Sequence, residues 1–442
     1  MKVLRNIFLT NLFFYSLLGI ATLFVFGFLY AWVFVLAQIT LWVFIALCIW
    51  ELINLFARRK DVMVDRYYPE KLSNGDWNPM GITLESTFPL TMKVRVIEEL
   101  PELLQKRDFH YQTKLLPYTE ERIDYEVRPT KRGLYNFGNV NVFLSHLGLI
   151  ERRFKKAEVQ ELPCYPSYIQ LKKYQLLATT NRLNELGVKR IRRIGSTMEF
   201  DSIREYLRGD EYRFINWKAT AKTKKLMVNQ YEDERSQPIY SFIDLSRTMR
   251  MPFDGLTLLD YAINSSLVLS SITILKHDKA GLLTFSKEIE THIKADRRNH
   301  QMQLISDALY NVYTEFKETD FGKLYSYISR NINQRSLIFL YTNFETLDAL
   351  HRQLPYLKLM NKSHIIVCIV FKNTELDTLT HTPAKKSYEM YNQIIGEKFV
   401  YEKSLIIQEL QAHGIQTIYT TPQNLTVNTI NKYLELKARG AI

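Results

Sequence analysis

The sequence predicts a multidomain chain made of an N-terminal transmembrane helical hairpin, an antiparallel β-sandwich and an α/β doubly wound domain. Three observations indicate this fold class: a long uncharged segment, then polar–apolar alternation at period two, then alternating strands and helices. A chain of 442 residues is long for one domain, and its apolar fraction of 46% is ample for folded cores. We expect the hairpin in 1–60, the sandwich in 61–165, a linker with a charged motif in 166–237 and the α/β domain in 238–442.

The hairpin prediction rests on residues 6–50, which contain no charged residue and no histidine. A helix that crosses the hydrocarbon core of a bilayer needs about 20 such residues, so the segment is two spans long. The turn is expected near Gly27, between helices over about 7–26 and 30–50. Basic residues flank both ends of the segment: Lys2, Arg5, Arg58, Arg59 and Lys60. They predict a multi-pass protein of the inner membrane with both ends in the cytoplasm; the alternative is a buried hairpin of a soluble protein.

The sandwich prediction rests on stretches that alternate apolar and polar residues, at 81–87, 92–97 and 122–127. This alternation is typical of antiparallel strands with one buried face. Turn residues such as those at 73–76 and 131–133 separate the stretches. No cluster of side chains in this region indicates catalysis.

The α/β prediction begins with a short apolar strand, 239–243, that ends at Asp244. A pair of strands is expected at 280–285 and 289–293, and further strands at 336–341, 364–371 and 416–419, with helices between them. This order predicts a parallel sheet with helices on both faces and right-handed crossovers.

Net charge and sequence motifs limit the classes of function that the chain can have. The formal net charge of +12 attracts anionic surfaces, but the basic residues are interleaved with carboxylates, which favours lipid over a nucleic-acid groove. A basic run at 189–193 is interpreted either as a lipid contact or as a solvated turn. The three cysteines are far apart, and the sequence has neither a P-loop nor an H-E-x-x-H pair. Disulfide frameworks, zinc clusters and P-loop hydrolysis are therefore not expected.

The charged motif in the linker carries a family resemblance. Its residues, at fixed spacing, are Arg204, Glu205, Tyr206, Gly209, Asp210, Arg213, Trp217 and Lys218. This run resembles the DUF58 family, with Asn216 and Lys222 where the family usually has Asp and Arg. The resemblance implies a bacterial protein with a C-terminal von Willebrand factor A-like domain that works beside a MoxR-type AAA+ ATPase, in the assembly or maturation of other proteins.

The motif admits three interpretations. It can be a nucleic-acid surface, an enzyme site with paired carboxylates, or a salt-bridged platform that presents a surface to a protein partner. Interleaved acidic residues argue against nucleic acid, and no nucleophile supports the enzyme. We prefer the platform and expect Arg204, Asp210 and Trp217 to be buried, with Arg208 and Lys224 exposed.

A metal site is the second candidate. Asp244, Ser246 and Thr248 follow the first α/β strand and offer the hard oxygen ligands that Mg²⁺ prefers. They resemble the first part of the metal-ion-dependent adhesion site of von Willebrand A domains. That pattern also includes a Thr from a later loop, which the sequence does not identify, and an Asp at the position of Asn343. We expect a weak Mg²⁺ site at most; the alternative is that Asp244 and Ser246 cap the next helix and turn.

Together these observations predict a membrane-anchored, cytoplasm-facing scaffold protein that is not an enzyme and does not bind nucleic acid. The competing hypothesis is an enzyme of unknown reaction that uses the Arg204–Lys218 cluster, with or without Mg²⁺.

Overall fold

The computed structural model describes residues 6–56, 62–105, 109–156, 160–179, 187, 199–207, 210–232, 236–298, 300–314, 316–374 and 386–441. The chain divides into two compact units, Met1–Tyr165 and Pro166–Ile442. The flanking basic residues of the hairpin, the basic run at 189–193, Arg208 and Gly209 lie outside the described residues.

The first unit begins with the helical hairpin, formed by α1 (Asn11–Gly27) and α2 (Ala31–Phe56). Gly27 ends α1 at the predicted turn. A Cβ atom there would lie 2.9 Å from the Cα of Phe34, so this close approach of the two helices requires glycine. Both helices are uncharged apart from Glu51, and α2 is long and apolar enough to cross a membrane. These exposed apolar helices support membrane association.

The helix bounds differ from the predicted 7–26 and 30–50. Helix α1 begins four residues later than predicted, because Ile7–Leu9 form strand β1 and pair with residues 150–152. Helix α2 continues six residues further, and this extension contains the fully buried Glu51.

The other strands of the first unit are β2 (Met63–Tyr67), β3 (Leu72–Ser73), β4 (Asn78–Glu85), β5 (Met92–Glu98), β6 (His110–Leu115), β7 (Glu120–Val127), β8 (Gly133–Phe137), β9 (Val140–Ser145), β10 (Ile150–Lys156) and β11 (Gln160–Tyr165). They form the sheets β1-β10-β9-β5-β6, β2-β4-β7 and β3-β11-β8, antiparallel except for the β3–β11 pair. The first two sheets share one core, to which Ile82, Val94, Ile123 and Val142 contribute. This packing agrees with the predicted sandwich, to which β1 adds a strand from outside 61–165.

A buried carboxylate joins the end of α2 to this sandwich. The two carboxylate oxygens of Glu51 accept hydrogen bonds of 2.8–3.2 Å from the five consecutive backbone N–H groups of residues 146–150. Gly148, within that run, has a φ of +95°, a conformation that favours glycine. Such hydrogen bonds compensate for the loss of water around the buried charge. With β1 paired to β10, the hairpin is joined to the sandwich at both ends.

The second unit contains the helices α3 (Tyr168–Thr179), α4 (Trp217–Thr223), α5 (Leu258–Leu275), α6 (Gln301–Tyr310), α7 (Phe321–Asn331), α8 (Leu347–Ser363), α9 (Ser387–Ala412) and α10 (Leu425–Ala438). Its strands are β12 (Glu199–Glu205), β13 (Met227–Glu232), β14 (Pro238–Asp244), β15 (Pro252–Phe253), β16 (Leu256–Thr257), β17 (Lys279–Phe285), β18 (Ile289–Asp296), β19 (Leu337–Tyr341), β20 (Ile365–Phe371) and β21 (Gln416–Thr420).

The central sheet of this unit has the order β18-β17-β14-β19-β20-β21, and every neighbouring pair is parallel except β17–β18. Alternate residues of β14 enter two cores on opposite faces: Ile243 packs with α5 and α10, and Phe242 packs with α7, α8 and α9. Helix α5 is apolar enough to span a membrane but is buried in the first of these cores. The sheet is therefore doubly wound, with the chain order that the sequence predicted.

Candidate functional site

The candidate site forms at the carboxyl end of β14, where Asp244 is buried at 2% exposure. Its Oδ1 accepts hydrogen bonds from the backbone N–H of Ser246, at 2.9 Å, and from the hydroxyl of Thr319, at 2.7 Å. Its Oδ2 accepts one from the hydroxyl of Thr342, also at 2.7 Å. Three different loops thus meet at one carboxylate.

Burial raises the pKa of Asp244, and the hydrogen bonds from Thr319, Thr342 and Ser246 lower it in part. Asp244 accepts the hydrogen bond from Ser246 N–H at the start of the following turn, which is the contact that the capping alternative expects of it. The hydroxyl of Ser246 makes no capping bond to that turn; it lies 3.0 Å from the hydroxyl of Thr248.

A cavity of about 220 Å³ opens beside this carboxylate. Asp244, Ser246, Thr248 and Thr319 all line it, so these four oxygen-bearing side chains border the same space. The carboxylates of Glu318 and Glu345 line it too. Thr319 stands in the loop just before α7. Its hydroxyl is one of the two that donate to the Asp244 carboxylate.

Asn343 also lines the cavity, but its amide is engaged on both sides. Its Nδ2 donates to the carbonyl oxygen of Thr248 at 3.3 Å, and its Oδ1 accepts from the Lys403 ammonium at 2.8 Å. Lys403 extends from α9 and donates also to the carbonyl oxygen of Phe344. Burial lowers the pKa of Lys403 to about 8. Asn343 could therefore bind a metal only through the second lone pair of Oδ1, where the neighbouring Lys403 ammonium would repel the ion.

The donor set fits Mg²⁺ only as a weak site. Hard oxygen ligands suit this ion, and it retains several waters. Asp244, Ser246, Thr248 and Thr319 supply such oxygens, with a single negative charge among them. Across the described ranges, no three His, Cys, Asp or Glu side chains are grouped so that they could hold a metal. Hydroxyls, water or the exposed carboxylates of Glu318 and Glu345, which also line the cavity, would have to complete the coordination, so Mg²⁺ stays a prediction.

The charged motif forms a separate structure in the same unit, a two-stranded hairpin of β12 and β13 with α4 between the strands. Arg204 and Asp210 form a bidentate ion pair with N–O distances of 2.7 and 2.8 Å. The hydrogen bond from Arg204 lowers the pKa of Asp210, and Leu207 N–H donates to the same carboxylate. Glu205 pairs with Lys225 at 2.6 Å. Two of the three carboxylates in 204–218, those of Glu205 and Asp210, are thus paired with cations.

The predicted burial of three motif residues is wrong. The Trp217 side chain, predicted to be buried, is 68% exposed. Trp217 is the first residue of α4, and it is Thr220 of the same helix that contacts β13, by accepting a hydrogen bond from Met227 N–H. Arg204 and Asp210, also predicted to be buried, retain 38% and 19% side-chain exposure.

The remaining members of the motif are distributed around the hairpin. Tyr206 stacks on Tyr212, with ring centroids 5.9 Å apart. Arg213, Lys218 and Lys224 are exposed. Among the described residues, none from the motif lines the Asp244 cavity. The two candidate sites therefore do not form one pocket.

Asn216 explains one departure from the family pattern. Its Oδ1 accepts from Ala219 N–H at 3.0 Å and begins α4, while its Nδ2 donates to Asn229 at 2.8 Å. An aspartate could make the first bond but could not donate the second.

Sequence reasoning missed Thr319, Thr342 and Lys403 as parts of the Asp244 site. Thr342 had a usable signal, because it follows β19 directly at the same edge of the sheet. Thr319 and Lys403 had none, since a loop threonine and a helical lysine carry no distinctive spacing.

Comparison with known proteins supports the DUF58 part of the resemblance. Residues 202–379 match the family described as protein of unknown function DUF58. The chain is also 29% identical over 181 residues to the uncharacterized protein YeaD of Bacillus subtilis, which covers 39% of this chain and 45% of the relative. The chain thus matches less than half the length of this curated relative.

Similarity to solved structures is low. The conserved hypothetical protein BatB from Bacteroides thetaiotaomicron is 12% identical, with a TM-score of 0.31, over 46% of this chain and 100% of that one. The CARDB domain of the PF1109 protein from Pyrococcus furiosus is 13% identical, with a TM-score of 0.17, over 24% of this chain and 92% of that one.

Proposed function

We propose that this chain, which matches DUF58 in its central part, is a membrane-anchored interaction protein whose α/β domain binds a partner protein at the Asp244 cavity. In this proposal the domain is von Willebrand A-like, and the hairpin holds the protein at the cytoplasmic face of a bacterial inner membrane. The partner implied by the sequence resemblance is a MoxR-type AAA+ ATPase, which acts on the assembly or maturation of other proteins.

One observation carries the proposal: the Asp244 carboxylate draws together loops that follow β14, precede α7 and follow β19. In open α/β sheets, ligands bind outside the carboxyl ends of the strands, which is where these loops meet. The surrounding cavity is small and polar, as expected for recognition of one side chain of a partner. Mg²⁺ bound there would supply a positive charge that attracts an acidic side chain of that partner.

The chemistry of the cavity supports binding rather than catalysis. Its described lining contains neither histidine nor cysteine. Both oxygens of Asp244 already accept hydrogen bonds from hydroxyls or an N–H group, so this carboxylate is poorly placed to remove a proton from a substrate. A site of this kind holds a ligand in a fixed geometry without an evident reaction.

The competing enzyme hypothesis places the chemistry in the charged motif. The ion pairs Arg204–Asp210 and Glu205–Lys225 occupy two of the three carboxylates in the Arg204–Lys218 cluster. The exposed Trp217 beside them is better suited to contact with a protein surface, since tryptophan is enriched where interfaces form. These observations favour the platform, which would form a second contact with the partner.

Affinity capture of the full chain from native membranes tests this proposal, with and without Mg²⁺. We expect the wild type and the matched control Asp307→Asn, an exposed carboxylate on α6, to recover an AAA+ ATPase of the MoxR type. Asp244→Asn should lose it, because an amide cannot accept all three hydrogen bonds. Thr248→Val serves as a milder variant if Asp244→Asn fails to fold. Equal recovery by all of the variants, or recovery of no ATPase, would refute the proposal.

A further inference from the structure

We propose that a cavity in the first unit, beside the start of α1, binds the phosphate headgroup of an anionic phospholipid. This inference rests on the proposed insertion of the hairpin into a membrane. It concerns a different surface from the Asp244 cavity and assigns a ligand class to it.

The cavity has a volume of about 660 Å³ and lies where the five-stranded sheet meets the first turn of α1. Lys93 of β5 and Lys114 of β6 line it from the sheet, and Asn11 and Leu12 line it from the helix. The two lysines are exposed, while their chain neighbours such as Val94 point into the sandwich core. The cavity is therefore on the outer face of the sheet.

The charges around this cavity favour an anion. Lys93 and Lys114 are directly opposite each other on neighbouring strands, an arrangement in which like charges destabilise a sheet. In the part of the chain that the structure describes, neither amine forms an ion pair with a carboxylate. Arg95, which also lines the cavity, is paired with Glu151 at 2.5 Å. The lining thus carries two uncompensated positive charges, which a bound phosphate would offset.

The apolar surroundings favour a lipid over a soluble anion. Phe8, Leu9 and Leu12 line the same cavity and are 38%, 46% and 52% exposed. From Leu12 onward, α1 is an uncharged helix with a largely exposed surface. A phospholipid lying along this helix would place its acyl chains against apolar side chains and its phosphate at the level of the lysine pair. A soluble anion would contact the two lysine amines but not the apolar side chains.

The test is lipid binding to the full chain in detergent, counted by native mass spectrometry. Phosphatidylglycerol and phosphatidylcholine with identical acyl chains are titrated separately. We expect preferential binding of phosphatidylglycerol, weakened about thirtyfold by Lys93→Gln with Lys114→Gln and about fivefold by either change alone. The matched control is Lys131→Gln with Lys173→Gln, which removes the same charge from exposed positions outside the cavity. The control should bind like the wild type.

Several results would overturn the inference. Equal affinity for the two lipids, or equal losses in the cavity and control variants, would show that the lysine pair recognises no headgroup. Displacement of phosphatidylglycerol by millimolar inorganic phosphate would assign the cavity to a soluble anion. Carbonate extraction of membranes separates this inference from its premise. A chain that is extracted contradicts the proposed anchoring, whereas a retained chain without lipid preference contradicts only the lipid site.

Discussion

Replacing Glu51 by glutamine is expected to release residues 146–150 from the end of α2. In the wild type, Oε1 accepts from the N–H groups of His146, Leu147 and Gly148, and Oε2 accepts from those of Leu149 and Ile150. The amide of glutamine has nearly the same shape but keeps only one oxygen. Its NH₂ group can donate but cannot accept, so it faces N–H groups that need an acceptor.

The size of the effect follows from this count. If the remaining oxygen keeps the three donors of Oε1, the N–H groups of Leu149 and Ile150 lose their acceptor. An unsatisfied buried donor costs about 1–3 kcal/mol, so two of them cost about 2–6 kcal/mol. The lower limit corresponds to about thirtyfold easier opening of this segment.

Hydrogen–deuterium exchange measures that opening directly. The peptide containing residues 146–150 should exchange slowly in the wild-type protein in detergent and at least about thirtyfold faster in Glu51→Gln. The control is Asn54→Ala, on the same helix end, whose side chain donates within the helix to Trp50 O and makes no other hydrogen bond among the described residues. That variant should exchange at the wild-type rate. If this peptide exchanged in Glu51→Gln at the wild-type rate, the carboxylate would not be its acceptor. That result would refute the proposed link between the hairpin and the sandwich.

Three further outcomes are expected. Burial lowers the pKa of Lys403 from 10.5 in the unfolded chain to about 8 in the fold, so the protein loses stability as the pH falls from 10.5 to 8. Chemical denaturation should therefore show the wild type gaining about 3 kcal/mol relative to Lys403→Met between pH 8 and pH 10.5, and no such gain relative to the exposed control Lys398→Met. Parallel stability curves for the wild type and Lys403→Met would contradict this. Trp217→Ala should change the free energy of unfolding by less than about 1 kcal/mol yet weaken capture of the partner, whereas a large loss of stability would restore the buried interpretation. Millimolar Mg²⁺ should raise the melting temperature slightly, and Thr319→Val should remove this shift; a shift that persists would place the ion elsewhere.

The parts of the fold that the sequence predicted well are those with strong local patterns. The strand and helix alternation from 238 onward follows directly from runs of apolar residues, because each strand of a sheet buried on both faces is apolar throughout. Gly27 marked the turn of the hairpin for a similar reason, since a tight turn needs a small residue.

The parts that escaped prediction depend on contacts between distant positions. Ile7–Leu9 are as apolar as the helix that follows, so only their pairing with β10 reveals a strand. Nothing in the sequence around Glu51 indicates its role, because its partners lie about one hundred residues away. At the candidate site, Asp244 was found because it ends an apolar strand, whereas Thr319 and Lys403 reach it only through the tertiary fold. Trp217 was expected to be buried because its side chain is large and apolar, but it lies on a short outer helix and stays exposed.

The central claim is that a partner ATPase docks at the Asp244 cavity, and site-specific photocrosslinking in intact cells tests it most directly. A crosslinkable residue placed at Arg352, which is exposed and lines the cavity, should form an adduct with the MoxR-type ATPase. The same residue placed at Arg330, exposed on α7 but outside the cavity lining, should not. Adducts with the ATPase at both positions or at neither one would contradict the account.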